Sequence, residues 1–307
     1  MNQLKVCFVG VGSIAKRHIR NLREIVKKNG YDIRVDAFRR FDEMVEGVDT
    51  VYTELGKLPD DYDAIFITNP TEKHLETLKL FHTKGKHFFI EKPVVSMSQL
   101  DKAREVKLKE GSVYYVACPL RYNAVIQYIK NNINPKDVIS VRCISSSYLP
   151  DWRPGQDYRK TYSAHKDMGG GVSVDLIHEW DYITYLFGWP SQVKCFIGKK
   201  SNLEIDSDDY AIYIAEYNDK IVELHLDYFG RKPIREVQLF TREETIVGDI
   251  ANNKITFIRR DKTIDFKEER DDFQKRELNH FINMMNEKIE DGYHHGLDLL
   301  NLTRGMI

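Results

Sequence analysis

Apolar and polar positions change their spacing along this chain, and the changes mark out its elements. Residues 4–9 (LKVCFV), 33–38, 64–68 (AIFIT), 88–90 and 113–118 are short apolar runs of strand length. Between the first two, Ile14, His18, Leu22 and Ile25 recur at helical spacing, and Asn29-Gly30 closes the pattern as a C-cap does. A second amphipathic helix follows Asn69-Pro70-Thr71 and runs to 83, and weaker helical patterns cover 42–48 and 100–109. Strands alternating with helices predict a parallel, doubly wound α/β sheet over residues 1–120.

Beyond residue 120 the rhythm differs. A helix is expected over 125–131, a long alternating strand over 138–148, and a polar, aromatic, irregular stretch over 151–166. Gly169-Gly170-Gly171 then leads into a helix over 172–187, closed by Gly188 and Pro190, with Ile177, Trp180 and Phe187 as its packing face. Seven strand patterns follow, at 192–199, 209–217, 220–229, 235–241, 244–249, 254–259 and 263–267, before helices at 272–290 and 296–305. Consecutive strands predict an α+β domain over 121–307 on a large, mostly antiparallel sheet. Such a domain would bind substrate and carry a homodimer or homotetramer interface on its sheet, whose edges need covering.

Composition narrows the classes. The 307 residues are 42% hydrophobic and 30% charged with a net charge of −1, so no global field favours nucleic acid or an anionic membrane. Four scattered cysteines form no C-x-x-C pair, no apolar run nears the roughly 18 residues of a membrane span, and the chain opens directly into a strand. A cytoplasmic protein without a signal peptide is expected. His294-His295 has no ligand at metal spacing and no G-x-S-x-G is present, so neither a metal centre nor a hydrolase triad is expected.

The chemistry begins at Gly10-x-Gly12-x-x-Ala15, which follows a strand and opens a helix. This is the arrangement of a Rossmann dinucleotide site: the first glycine permits the turn, the second lets a pyrophosphate approach, and the small third residue lets helix and strand pack. Gly10, Gly12, Ser13 and Ile14 are the expected cradle, with phosphates on the helix N-terminus. The second strand ends Phe38-Arg39-Arg40, without the acidic residue that binds a ribose 2′-hydroxyl. Arg39 and Arg40 suit a 2′-phosphate, so NADP(H) is favoured over NAD(H); Asp36 lies inside the strand, not at its tip.

With GVGSIAKRH (10–18), TNPTEKH (68–74), EKP (91–93), RYN (121–123) and GGGVSVDLIHEWD (169–181), the chain resembles the Gfo/Idh/MocA oxidoreductases, which include glucose-fructose oxidoreductase and inositol 2-dehydrogenase. The order and spacing of these pieces cover the chain to about residue 190. The resemblance implies that Thr68, Asn69, Pro70, His74 and Glu91 line the cofactor, and that Lys92 faces the substrate hydroxyl beside the nicotinamide. It implies catalytic roles for His178 and Asp175 and places Arg121 and Tyr122 at the inner end of a substrate cleft. Relatives commonly space Asp and His by four residues; here Asp175 and His178 are three apart, while His178 and Asp181 keep the family's spacing. Which of Lys92 and His178 moves the proton stays open.

The implied activity is hydride transfer between a nicotinamide cofactor and a hydroxyl or carbonyl carbon of a sugar. A redox-neutral NAD-dependent glycosidase and a non-catalytic dinucleotide-binding regulator are the alternatives. The stretch DWRPGQDYRK (151–160) borders the cleft in the resembled family. Trp152 and Tyr158 offer stacking faces, and Arg153, Arg159 and Lys160 offer charge. An anionic sugar, foremost a nucleotide-linked one, is therefore the expected substrate.

Overall fold

The computed structural model describes residues 3–287 and 292–307. In chain order its strands and helices are β1 (Gln3–Val9), α1 (Ser13–Lys28), β2 (Asp32–Phe38), β3 (Thr50–Tyr52), β4 (Tyr62–Ile67), α2 (His74–Phe81), β5 (Gly85–Ile90), α3 (Leu100–Arg104), β6 (Tyr114–Val116), α4 (Ala124–Asn132) and β7 (Val138–Tyr148). They continue with α5 (Val172–Asp175), α6 (Ile177–Phe187), β8 (Gln192–Gly198), β9 (Tyr210–Glu216), β10 (Ile221–Asp227), β11 (Phe229–Thr241), β12 (Thr245–Asp249), β13 (Lys254–Phe257), β14 (Lys262–Asp265), α7 (Asp272–Glu287) and α8 (Gly292–Leu302).

Two compact units result. The first comprises 1–117 and 274–297, and the second 118–273 and 298–307. The first holds a parallel sheet in the order β3-β2-β1-β4-β5-β6. Strand order reverses beside β1, which creates the switch point where such sheets bind ligands.

Assigning everything after residue 120 to the second domain is corrected here, because most of α7 and the start of α8 belong to the first unit. The cause is an aromatic row across one sheet face. Phe8 stacks on Phe66, Phe66 on Phe89, and Phe89 leans on Tyr115, each on an adjacent strand. Phe281 of α7 meets Phe66 and Phe89 edge-on at 5.7 and 5.3 Å. Each aromatic pair contributes about 0.5–1.5 kcal/mol beyond its buried area. Tyr115 donates to the Glu277 carboxylate on the same helix at 3.2 Å.

Local expectations also shift. Residues 42–48 are irregular, with one turn at 46–47, rather than a helix. Arg23 ties down the Gly47 carbonyl at 2.8 Å, Val48 enters the core, and the edge strand β3 follows, unforeseen. Helix α3 ends at Arg104 rather than 109. Helix α8 starts at Gly292, not 296. The helix expected over 272–290 is α7 to Glu287; its last three positions lie outside the described residues.

The second unit is an eight-stranded sheet in the order β14-β13-β12-β11-β7-β10-β9-β8. All neighbours are antiparallel except β7 and β10. One face is buried: Tyr213, Leu224, Cys143 and Val237 point inward, and Trp180 of α6 meets Tyr213 edge-on at 5.2 Å. Alternate positions on the opposite face leave Phe196, Ile214 and Ile221 exposed.

Candidate functional site

In the first unit the sequence-selected residues gather at the carboxyl ends of β1, β2, β4 and β5. Gly10 has φ of 82°. A Cβ there would come within 2.8 Å of the Asn69 Cα, so only glycine lets the turn after β1 touch the turn after β4. Thr68 fastens the two: its hydroxyl donates to the Gly10 carbonyl at 2.7 Å and its N–H to Val9 at 3.1 Å. Helix α1 then starts at Gly12 with no side-chain cap and no acidic residue in its first turn. Gly12 and Ser13 are exposed, and nothing lies within 4 Å of where Gly12 would carry a Cβ. Unsatisfied N–H groups, the helix dipole and open space fit a dinucleotide pyrophosphate.

The contrast with α5 is informative. There Asp208 reaches in from a loop and takes the Ser173 N–H at 2.9 Å, while its carbonyl takes Val172 N–H at 2.9 Å. Gly171, at φ 124°, stands where any Cβ would strike the Asp208 carboxylate. The triple-glycine turn is thus closed by the protein's own anion.

At the tip of β2, Arg40 is exposed and Arg39 donates to the Glu43 carbonyl at 3.1 Å. Asp36 is fully buried and accepts from the Tyr62 hydroxyl at 2.7 Å and from Arg34 at 3.1 Å. Buried His74 braces the turns: one ring nitrogen is 2.9 Å from the Asn69 carbonyl and the other 3.1 Å from that of Pro93. Burial lowers its pKa, although those carbonyls and the Glu91 charge pull the other way.

Beyond β5, Glu91 precedes Lys92 and a cis peptide bond to Pro93. Its carboxylate meets His18 Nε2 at 2.5 Å and accepts the Lys92 N–H at 3.3 Å. Burial would raise the Glu91 pKa, but the His18 hydrogen bond and charge, with the Lys92 charge, bring it below the ordinary value. The sequence spacing places His18 on the helix face shared with Ile14, Leu22 and Ile25 and by itself gives no sign of this partner. The position of His18 in the second turn of α1, facing the strand that leads into EKP, was the available signal.

In the second unit the helix expected over 172–187 breaks at Leu176 (φ −98°, ψ 25°), between α5 and α6. Asp175 is buried and accepts from the Tyr228 hydroxyl at 2.6 Å. The Asp175 charge, together with burial, drives the Tyr162 phenol upward, with Arg153 opposing. His178 opens α6, and its Nε2 lies 3.1 Å from an Arg235 Nη and 3.4 Å from Glu179. Arg235 also donates to Glu179 at 2.8 Å. Burial alone would raise the Glu179 pKa, but the Arg235 charge, the largest opposing cause, helps hold it down at about 2. Neither Glu179 nor Arg235 was singled out from sequence. Asp181 forms a two-point ion pair with Arg121 at 2.7 and 2.6 Å, in the turn that also carries Tyr122.

The 151–160 stretch folds as short helical turns. Trp152 donates to Ser147 at 2.9 Å and stands edge-on to Tyr228. The Arg153 guanidinium lies over the Tyr162 ring at 5.2 Å. Arg159 is held by Asp157 at 2.9 Å and Glu204 at 3.2 Å, and Tyr158 accepts from the Glu204 N–H at 3.2 Å. Among the described residues no cluster of His, Cys, Asp or Glu could hold a metal ion. No described helix is long and apolar enough to cross a membrane.

The parallel sheet, its switch point and the uncapped α1 define a dinucleotide-binding α/β unit carried with an antiparallel-sheet unit. The model of an oxidoreductase family with an NAD-binding Rossmann fold matches residues 4–117, and that of the Gfo/Idh/MocA C-terminal domain matches 127–246. This chain belongs to the Gfo/Idh/MocA family. It is 27% identical over 193 residues to the uncharacterized oxidoreductase YrbE of Bacillus subtilis, covering 61% of this chain and 54% of that protein. It is 23% identical to the myo-inositol 2-dehydrogenase of Thermotoga maritima, covering 60% and 55%. The matched region thus spans about half the length of these curated relatives. A levoglucosan dehydrogenase in complex with NADH superposes with a TM-score of 0.85 over 99% of this chain and 96% of that one, at 15% identity. The UDP-N-acetylglucosamine 3-dehydrogenase of Acidithiobacillus ferrooxidans gives 0.73 over 99% and 96%, at 19% identity.

Proposed function

We propose that this chain is a nicotinamide-dependent dehydrogenase or reductase acting on a CH–OH group of a sugar. The observation that carries the reading is the uncapped N-terminus of α1 at the switch point, in the same unit as Lys92 after β5. When bound, the nicotinamide exchanges a hydride with the reacting carbon. Gly10, Gly12, Ser13 and Ile14 hold the pyrophosphate, and Thr68, Asn69, Pro70 and His74 keep the neighbouring turn in place. Arg39 and Arg40 favour a 2′-phosphate, hence NADP(H). Lys92 and His178 are the acid–base candidates for handling the hydroxyl proton, which leaves in oxidation and returns to a carbonyl oxygen in reduction. Glu91 keeps a negative charge beside Lys92.

The substrate class follows from the second unit. Trp152 and Tyr158 offer flat faces for a sugar ring or base, and Arg153 and Lys160 offer positive charge. The named relatives and structural neighbours include enzymes for neutral cyclitols and sugars and one for a nucleotide-linked sugar. The basic residues of 151–160 favour an anionic sugar, foremost a nucleotide-linked one. The exposed face of the large sheet supports a homodimer or homotetramer.

The test is a turnover assay with NADPH and NADH against free sugars, inositols, sugar acids and UDP-, GDP- and CMP-linked sugars. Stoichiometric cofactor consumption with a sugar is the expected result. A tightly held cofactor that is never consumed while a glycoside is cleaved, or no turnover with any of them, overturns it.

A further inference from the structure

The residue that follows His178 is a glutamate, and no part of its side chain reaches solvent. A buried carboxylate that remains ionised demands a cation, and Arg235 of β11 supplies it at 2.8 Å. Arg235 lies in the same inward-facing row as Val237 and Leu239, so its side chain leaves the sheet on the helix-covered side. The backbone holds it there: its carbonyl accepts from Ile250 N–H at 2.9 Å in the turn after β12.

With one edge of the guanidinium on Glu179, another nitrogen comes 3.1 Å from His178 Nε2. A guanidinium has only donors, so the imidazole nitrogen facing it must accept. The competing arrangement, a protonated Nε2 donating to Glu179, has a separation of 3.4 Å and would set an N–H against an N–H of Arg235. The shorter contact and the avoided donor clash decide between them.

Resting on the dehydrogenase reading for its functional part, we infer that Arg235, fixed by Glu179, occupies Nε2 of His178 and holds the ring neutral with its hydrogen on Nδ1. His178 then has no lone pair with which to accept a proton. Its capacity is that of a hydrogen-bond donor, and proton exchange with the substrate falls to Lys92. Arg235 and Glu179 are positioning residues: they act through His178.

The test is long-range ¹H–¹⁵N correlation on full-length protein labelled at histidine, near pH 7.5, with the His178 signals identified by their loss in His178→Gln. The expected result is an Nδ1–H tautomer, which is the minor form of free histidine. Arg235→Met should release it to Nε2–H, and Arg235→Lys, which keeps a donor, should preserve it. Alongside, Arg235→Met should lower kcat by about 10–100-fold while the dissociation constant for NADPH stays within about twofold. A wild-type His178 in the Nε2–H or doubly protonated form overturns the inference whatever the variants do. A wild-type Nδ1–H tautomer with His178→Gln retaining full turnover leaves the tautomer standing and overturns the catalytic reading of His178 instead.

Discussion

His18 Nε2 and Glu91 Oε1 face each other at 2.5 Å, joining the second turn of α1 to the residue that precedes Lys92. His18 has almost no exposure, and Phe89 meets its ring edge-on at 5.1 Å. The pair explains why a core strand ends in charge. Glu91 has a partner that keeps it ionised within the fold, and its negative field stays next to the lysine.

A pH-dependent stability follows. The folded Glu91 pKa lies below its ordinary value because His18 and then Lys92 outweigh burial. Its stabilising effect is therefore complete above the unfolded-state value of about 4.3 and is lost as pH falls through the folded value. Glu91→Gln should lower unfolding free energy by about 1.5–3 kcal/mol at pH 7. The deficit relative to wild type should shrink at pH 4. Urea unfolding at the two pH values measures both quantities, and a deficit that grows in acid would show the sign to be wrong.

Lys92→Met and His178→Ala should each reduce turnover by about 10²–10⁴-fold, the usual worth of a positioned proton donor or acceptor. NADPH affinity should change far less, because neither residue belongs to the pyrophosphate cradle. Steady-state kinetics beside fluorescence titration of the cofactor separate the two effects. Wild-type turnover in either variant removes that residue from the mechanism.

What the sequence disclosed and what it withheld divide along physical lines. The turn from Gly10 into α1 and the chain's exit from β5 at EKP were readable because each is a local requirement: a positive φ, a helix start, a strand end. The membership of α7 in the first unit was not readable, since it depends on Phe281 meeting Phe66 and Phe89 from about 200 residues away in sequence. The same limit hid Arg235, which is 57 residues from His178. Residues 42–48 misled because only Val48, buried, and Val45, packed beside it, reach the core while Met44 is exposed, too few apolar contacts to hold a helix.

Cofactor choice is the next expectation. Asp36 is locked to Tyr62 and Arg34, while Arg40 is exposed at the strand tip. kcat/KM should be higher with NADPH than with NADH. Arg40→Ala should raise KM for NADPH by about tenfold, the loss of one charge-assisted contact, and leave KM for NADH nearly unchanged. A better rate with NADH in the wild type refutes the preference.

Assembly is expected through the open face of the second sheet. Phe196 is 75% exposed, and Ile214 and Ile221 are 41% and 43% exposed on neighbouring strands. Arg142 and Glu223 pair at 3.2 Å among them, which would give such an interface polar register. Light scattering should give two or four times the 36.0 kDa protomer mass, and Phe196→Glu with Ile214→Lys should yield the protomer. A wild-type protein of one protomer mass at every concentration excludes the assembly.

The substrate prediction is sharpened by what the loop's arginines already touch. Arg159 is neutralised by Asp157 and Glu204, and Arg121 by a two-point pair with Asp181, so neither offers an uncommitted charge to an anion. Arg153 lies over the Tyr162 ring with no carboxylate neutralising it among the described ion pairs, and a guanidinium has five N–H donors to offer. Arg153→Ala should therefore raise KM for an anionic sugar by about 10–100-fold, the range for losing a charge-assisted hydrogen bond. Arg159→Ala should leave KM within about twofold, since a paired surface charge contributes little. Neutral sugars, assayed in parallel, should be poor substrates and indifferent to both changes. If a neutral free sugar is the best substrate and Arg153→Ala does not raise KM for any anionic one, residues 151–160 recognise no anion and the nucleotide-sugar assignment falls.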